Sequence, residues 1–305
     1  EIDFFGGEPL VNMPVVKYVT EYVRQKEKET GKVFKLTLTT NGVLLNDENI
    51  KWLNDNNISM VLSLDGRKEV HDYMRPDVGG HGTYDKVVKN FKKLVDSRDG
   101  NNYYLRGTFT NRNMDFSKDV LSMADEGFDI LSVEPVVLKD SPYGFTKEDL
   151  PKIFAEYDKL TEIYLKRKKE GKGFFFFHFN IDLEHGPCGA KRLRGCGAGH
   201  AYNTVAADSN TYTRPLFAGR ENYMLGNVFE GVKNKELPKE FRKTHVLSKE
   251  KCRDCWAKFF CSGGCHANAD LFHGNIHEPY ELGCELQKKR CECAIVVKTA
   301  EKFGL

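Results

Sequence analysis

No cysteine occurs before Cys188, only two tryptophans are present in 305 residues, and no methionine opens the chain. Charge of one sign is lacking too: 46 Lys and Arg stand against 44 Asp and Glu, a formal net charge of +2. So even a balance gives no electrostatic case for nucleic acid or an anionic membrane as partner. Long apolar runs are missing as well. Runs such as Phe174 to Phe177 fall far short of the roughly 20 residues a spanning helix needs, so no membrane is expected. No internal repeat with a period of roughly 20 to 50 residues is found, which excludes a solenoid. Glu1 leads directly into a strand-like stretch with no basic and apolar leader, so a cytoplasmic, reducing or anaerobic setting is expected. The first residue reads as the inside of a domain, and an upstream segment is expected.

What is present is globular: 40% hydrophobic, 30% charged and 12% aromatic residues. The length suits about two domains at roughly 150 residues each. Nine cysteines, at 188, 196, 252, 255, 261, 265, 284, 291 and 293, crowd the last two fifths of the chain. An odd number at short spacings points to metal ligation over a disulfide framework.

Short apolar runs alternate with amphipathic segments through the first half. Strands are expected at Ile2 to Phe5, Val33 to Thr39, Ser59 to Leu64, Tyr103 to Phe109 and Ile130 to Val133. Helices are expected between them: one behind Pro14 carrying Val15, Tyr18, Val19, Tyr22 and Val23, one capped by Asn46, one carrying Val87, Phe91 and Leu94, and one near Ser117 to Asp125. A longer helix should run from Thr146 to about Lys168. About five strand–helix alternations predict an α/β fold, a partial parallel (β/α) barrel with helices outside. Beyond about Gly171, Gly, Cys, His and short turns dominate. Residues 1–170 therefore read as the barrel and 171–305 as a loop-rich domain centred on a metal site.

Gly6-Gly7-Glu8-Pro9 follows the first strand, where glycines let the backbone approach a ligand and a carboxylate can face an ammonium group. The next two strands end in Thr39-Thr40-Asn41-Gly42 and Ser63-Leu64-Asp65-Gly66. All three sets of small, hydrogen-bonding residues should share one rim, where barrel enzymes place their sites. Downstream, Cys252-x2-Cys255-x5-Cys261-x3-Cys265 is followed by Cys284. Close thiolate pairs suit zinc or an iron–sulfur cluster. The series lacks the paired CxxC spacing of a zinc ribbon, although a zinc knot drawing on some of these cysteines and His266 is the alternative. Lys251, Arg253 and Lys258 are expected to favour the thiolates.

The segments GGEP, TTNG and SLDG, the stretch HDYMRP from His71 to Pro76, and RGTFT with Arg106 resemble, in that order, the barrel of radical S-adenosylmethionine (SAM) enzymes. The resemblance implies that Gly6, Gly7, Glu8 and Pro9 hold the methionine amino group of SAM, with Thr40, Asn41, Ser63 and Arg106 as further contacts. The family's CxxxCxxC loop, which binds the SAM-cleaving cluster, would precede GGEP and is not in this sequence. These residues alone are therefore expected not to generate the family's radical. The cysteine series resembles the SPASM motif of the same enzymes. That implies two auxiliary [4Fe-4S] clusters, one on Cys252, Cys255, Cys261 and Cys284, the other on Cys188, Cys196 and Cys265. Cys291 and Cys293 fall outside the motif.

At one position the sequence departs from the motif. Where the family has a further cysteine, Ser209 to Arg214 places Arg214, which has no lone pair for a metal. This leaves a cluster with an open iron or a site that fails to assemble. The stretches FHFNIDLEHGPC (Phe177 to Cys188), RGCGAGHAY (Arg194 to Tyr202) and LGNVFEG (Leu225 to Gly231) resemble the maturases of SCIFF peptides. Those are small cysteine-rich precursors in which a cysteine sulfur is joined to the α-carbon of another residue. The resemblance implies a thioether-forming peptide maturase, with a cysteine-rich precursor peptide and an electron donor such as a ferredoxin or flavodoxin as partners. Anaerobic sulfatase maturases are the nearest rival, but their catalytic Asp follows the cysteine that Arg214 replaces, and Pro215 stands there. A non-catalytic metal- or peptide-binding remnant is the other alternative.

Overall fold

The computed structural model describes residues 1–183, 186 and 188–304. It divides into two compact units, Glu1–Val136 with Glu162–Phe177, and Val137–Thr161 with His178–Leu305. The boundary expected near residue 170 falls inside the segment Glu162–Phe177, which packs with the first unit.

In the first unit six strands form one sheet, β1 (Ile2–Phe4), β2 (Leu36–Thr40), β3 (Ser59–Ser63), β4 (Tyr103–Phe109), β5 (Ile130–Pro135) and β6 (Phe175–Phe176), in sequence order. Every neighbouring pair is parallel. All carboxyl ends therefore lie along one edge, as the strand–helix alternation predicts. The connections carry α1 (Met13–Thr30), α2 (Asp47–Asp55), α3 (Lys68–Met74), α4 (Tyr84–Asp96), α5 (Ser117–Asp125) and α6 (Leu150–Lys169). Asn46 caps α2 as expected, its side chain accepting from the Asn49 amide at 2.8 Å. On α4 the expected face, Val87, Phe91 and Leu94, is fully buried. On α1 the buried face is Met13, Val16, Thr20 and Val23. Val15, Tyr18 and Tyr22, expected inside, are 51%, 71% and 53% exposed. This helix carries apolar residues on two faces, and periodicity alone does not say which one meets the sheet.

The rim loops are held by buried polar contacts. Asp65 of the SLDG turn is 3% exposed. It accepts from Arg75 at 2.6 and 3.1 Å and from the Thr108 amide at 2.9 Å. The HDYMRP segment is thereby tied to both β3 and β4. A Cβ on Gly66 would lie 2.2 Å from that of Asp119 on α5. Only glycine lets the turn pass there, and its φ of 111° is likewise one that other residues avoid. Beneath the turn, His71 Nδ1 accepts from the Asp65 amide at 3.4 Å and Nε2 meets Thr83 Oγ1 at 3.1 Å, while the Thr83 hydroxyl donates to the Arg75 carbonyl. The chain of donors is satisfied only by a neutral imidazole.

The second unit holds a small antiparallel sheet in the order β10 (Gly231–Val232), β9 (Met224–Asn227), β8 (Asn210–Tyr212) and β7 (Thr204–Val205). Around it lie α7 (Gly189–Arg192), α8 (Glu236–Lys243), α9 (Glu250–Arg253), α10 (Lys258–Cys261), α11 (His266–His273) and α12 (Glu281–Phe303). Its apolar centre, built around Phe217, Leu225, Phe241 and Ile276, has Cys265 packed against it. Several helices are a single turn long, too short to be stable without such packing.

Burial lowers the His71 pKa from 6.5 to about 4, with Arg75 acting in the same direction and Asp65 and Asp72 opposing. Between those two values the unfolded chain binds the proton and the folded one does not. His71 therefore contributes its full stability above pH 6.5, and the contribution is lost as pH falls towards 4. The loss is on the order of 3 kcal/mol. Urea unfolding from pH 7 to pH 4 should show this decline, and it should be smaller in His71→Gln.

Candidate functional sites

Two groups of residues carry chemistry, one at the rim of the parallel sheet and one among the cysteines. At the rim, Glu8 caps the short helix Pro9–Asn12 that opens at Pro9, accepting from the Leu10 amide at 3.1 Å. The same carboxylate takes the Thr40 hydroxyl at 2.9 Å and the Asn41 amide at 2.7 Å. It therefore pins the end of β1 to the end of β2. Thr40 is buried under it, and the Asn41 side chain turns back to the Val43 amide at 3.0 Å. Gly6 and Gly7 are exposed, with open space where a Cβ would be. Their backbone is thus left facing solvent beside a carboxylate already held by three donors.

Ser63 and Arg106 are register partners on β3 and β4. Arg106 points to the open face of the sheet together with Tyr104, and Tyr104 lies within the electrostatic reach of Arg106, Asp3 and Glu134. Burial raises the Tyr104 pKa, and burial likewise raises that of Asp3. Ser132, in register with Arg106, donates to Glu134 at 3.2 Å. Sequence reading singled out Arg106 and Ser63 but missed Asp3, Tyr104, Ser132 and Glu134. The signal was available in the alternation of polar residues on one face of β1, β4 and β5.

The structure gathers Cys252, Cys255, Cys261 and Cys284 around one cavity of about 360 Å3. Four pieces of chain supply them: Cys252 lies on α9, Cys255 in the following turn, Cys261 at the end of α10 and Cys284 in the first turn of the long helix α12. Three consecutive residues with left-handed backbone, Ser262, Gly263 and Gly264, follow Cys261. Their curl turns the Gly263 and Gly264 amides onto the Cys261 sulfur, an arrangement suited to holding an anion. Burial, and then Cys261, Cys252 and Cys255, push the Cys284 thiol up to about 12. Burial also raises Cys252, against the pull of Lys249. Four thiols this close resist ionising together, and a positively charged iron or zinc centre removes that obstacle.

Lys249 and Lys288 act on these sulfurs, and Lys251 acts on Cys284. Of the three expected in that role, Lys251 lines the cavity but pairs with Glu281 at 2.5 Å, and Lys258 donates to the Arg253 carbonyl at 2.6 Å. Among the described residues, no three His, Cys, Asp or Glu side chains come close enough to hold a single metal ion. The four cysteines line one cavity, and a donor set of four soft thiolates suits a cubane whose irons each take one of them.

In the upstream group, Arg214 is drawn to two of the three cysteines. Burial works against its charge, but Cys196 and Cys265 outweigh it and raise its pKa, with the guanidinium hydrogen-bonded to Cys196. It also lies over the Tyr202 ring, 5.8 Å from the centroid. Cys188 is exposed at the start of α7, and Glu184, His185 and Pro187 of the preceding stretch lie outside the described residues. Cys291 and Cys293 are buried on α12, one beside Gln287 and the other near Asp158.

The Radical SAM superfamily model matches residues 1–115. A cysteine-type anaerobic sulfatase-maturating enzyme of Clostridium novyi is 25% identical over 284 residues, covering 88% of this chain and 73% of that protein. The radical SAM cyclopropyl synthase TigE of Paramaledivibacter caminithermalis is 20% identical over 94% of this chain and 58% of its own length. Among solved structures, native anSMEcpe with bound AdoMet and the Kp18Cys peptide superposes with a TM-score of 0.75 at 22% identity, over 99% of this chain and 85% of that one. No described helix is long and apolar enough to cross a membrane. Residues 1–115 thus match a radical SAM domain, the chain has homology to anaerobic sulfatase-maturating enzymes and to a radical SAM cyclopropyl synthase, and the protein is an enzyme.

Proposed function

We propose that this protein modifies a residue of a peptide or protein substrate, in the manner of the cysteine-type sulfatase-maturating enzymes it resembles. The observation that carries the proposal is the cavity of four cysteines in a chain whose other unit is a parallel radical SAM sheet. SAM when bound would supply hydrogen-atom abstraction, and an iron–sulfur cluster would supply electron transfer. Gly6 and Gly7 would offer backbone groups to SAM. Arg106 would meet a carboxylate, and Ser63 would hydrogen-bond beside it. Glu8, Thr40 and Asn41 would hold the loop that presents them. Cys252, Cys255, Cys261 and Cys284 would ligate a [4Fe-4S] cluster.

A second reading, thioether formation in a cysteine-rich precursor peptide, is favoured by Arg214-Pro215, which leaves no acid where the resemblance places the catalytic Asp of sulfatase maturases. The products separate the two. A thioether retains sulfur and loses two hydrogens, whereas a sulfatase-type reaction changes one cysteine of a sulfatase-derived peptide and forms no crosslink. The protein expressed from its complete gene and given SAM, a reductant and each peptide should change the sulfatase-type peptide in the mass spectrum. A crosslink in the cysteine-rich peptide would favour the second reading. No SAM-dependent change in either would overturn both.

The upstream group does not fit a four-thiolate cluster, because a guanidinium stands in the fourth place and cannot coordinate iron. The proposed content is therefore one auxiliary cluster where the cysteine motif implied two. Anaerobically purified protein should hold about four irons in this unit, one cubane's worth, with matching sulfide. Cys252→Ala, Cys255→Ala and Cys284→Ala should each lose it, and Arg214→Cys should raise the count to about eight. About eight in the parent would show that Cys188, Cys196 and Cys265 hold an open cluster. Stoichiometric zinc without sulfide would contradict the assignment.

A further inference from the structure

Lys249 is only 3% exposed and lies within electrostatic reach of cysteines of both groups. Its ammonium donates to the Gly263 carbonyl at 2.9 Å. Among the described residues no carboxylate pairs with it. The groups within its electrostatic reach are Cys252, Cys261 and Cys284 of the cavity and Cys265 of the other group. Two acids of this unit are engaged with other partners: Glu281 with Lys251 and His273, and Asp270 with Arg220 and Tyr223.

A buried ammonium with one carbonyl for company is strongly disfavoured unless an anion stands beside it. Further positive charge lies close by, since Lys249 and Arg214 both act on the buried ring of His266. The loop geometry points the same way. Gly263 gives its carbonyl to Lys249 and its amide to the Cys261 sulfur, so one left-handed glycine holds the cation and the thiol in fixed relation. Its φ of 86° is one a side chain would resist.

We propose that Lys249 is the buried counter-ion of the iron–sulfur cluster at Cys252, Cys255, Cys261 and Cys284, a positioning residue that offsets the cluster's negative charge and raises its reduction potential. The proposal rests on the cluster assignment above. A cation fixed near a cluster favours its more negative, reduced state, and thiolate-bound clusters are tuned by just such nearby charge and hydrogen bonding. Lys249 reaches no substrate in this role. It sets how readily the cluster takes an electron.

The test compares parent, Lys249→Met and Lys249→Arg as full-length protein. Midpoint potential is read by spectroscopically monitored redox titration, iron and sulfide by chemical analysis, and stability by urea unfolding with the iron present and after anaerobic chelation. Lys249→Met should keep its iron and shift to a more negative potential, with Lys249→Arg close to the parent. After chelation, Lys249→Met should be at least as stable as the parent, because the uncompensated charge has gone. An unchanged potential at full iron content would overturn the proposal. If Lys249→Met loses its iron, equal or greater apoprotein stability still supports a counter-ion, whereas an apoprotein that fails to fold shows a structural lysine and overturns it. A parent without iron fails the cluster assignment itself, a result read before any variant is made.

Discussion

Four thiols that share one buried cavity cannot all shed their protons without a compensating positive charge. That constraint organises the second unit. Burial, and then the neighbouring thiols, raise Cys252, Cys261 and Cys284, while Lys249, Lys288 and the amides of Gly263 and Gly264 push the other way. Cys252, Cys255 and Cys261 sit on or beside single helical turns and tight left-handed residues, elements that gain little from their own hydrogen bonds. On the proposed cluster assignment, they form a shell around a group that binds thiolate and releases protons on binding. Arg214 meets the same demand differently in the neighbouring group, placing a permanent cation beside Cys196 and Cys265.

The first unit answers to a different constraint, that loops at one edge of a parallel sheet must be rigid yet leave backbone exposed. Glu8 achieves this for the first loop by binding Leu10, Thr40 and Asn41. Asp65 does it for the third, with Arg75 and the Thr108 amide. Arg67, held by Asp115 and Asp119, fastens α5 to the same turn. Three carboxylate-centred knots along one rim leave Gly6, Gly7, Ser63 and Arg106 as the groups turned to the open side. The polar face formed by Asp3, Tyr104 and Glu134 continues beneath them.

Much of this was legible in the sequence because local signals and the final fold agree. Strand ends, the Asn46 cap and the buried face of α4 follow from patterning that needs no knowledge of distant contacts. The close spacing from Cys252 to Cys284 likewise anticipated that these cysteines would share one cavity, and Arg214 stood out as the position where the motif's further cysteine is missing. Elsewhere the sequence was silent for a physical reason. Lys249 looks like any surface lysine until the fold buries it. Which face of α1 meets the sheet depends on the sheet, since both faces are apolar. Glu8 reads as a ligand-facing carboxylate, and only the register of β1 on β2 shows how many protein donors it already serves. Charge proximity across long sequence distances is the information that one dimension lacks.

The central claim is that the second unit is built around an iron–sulfur group at Cys252, Cys255, Cys261 and Cys284. Hydrogen exchange, followed by mass spectrometry on anaerobic protein before and after reconstitution with iron and sulfide, tests it most directly. Protection should rise sharply in peptides covering residues 249–266 and 281–288 and stay unchanged across β2, β3 and β4. Equal exchange of residues 249–266 in the two states would contradict the account.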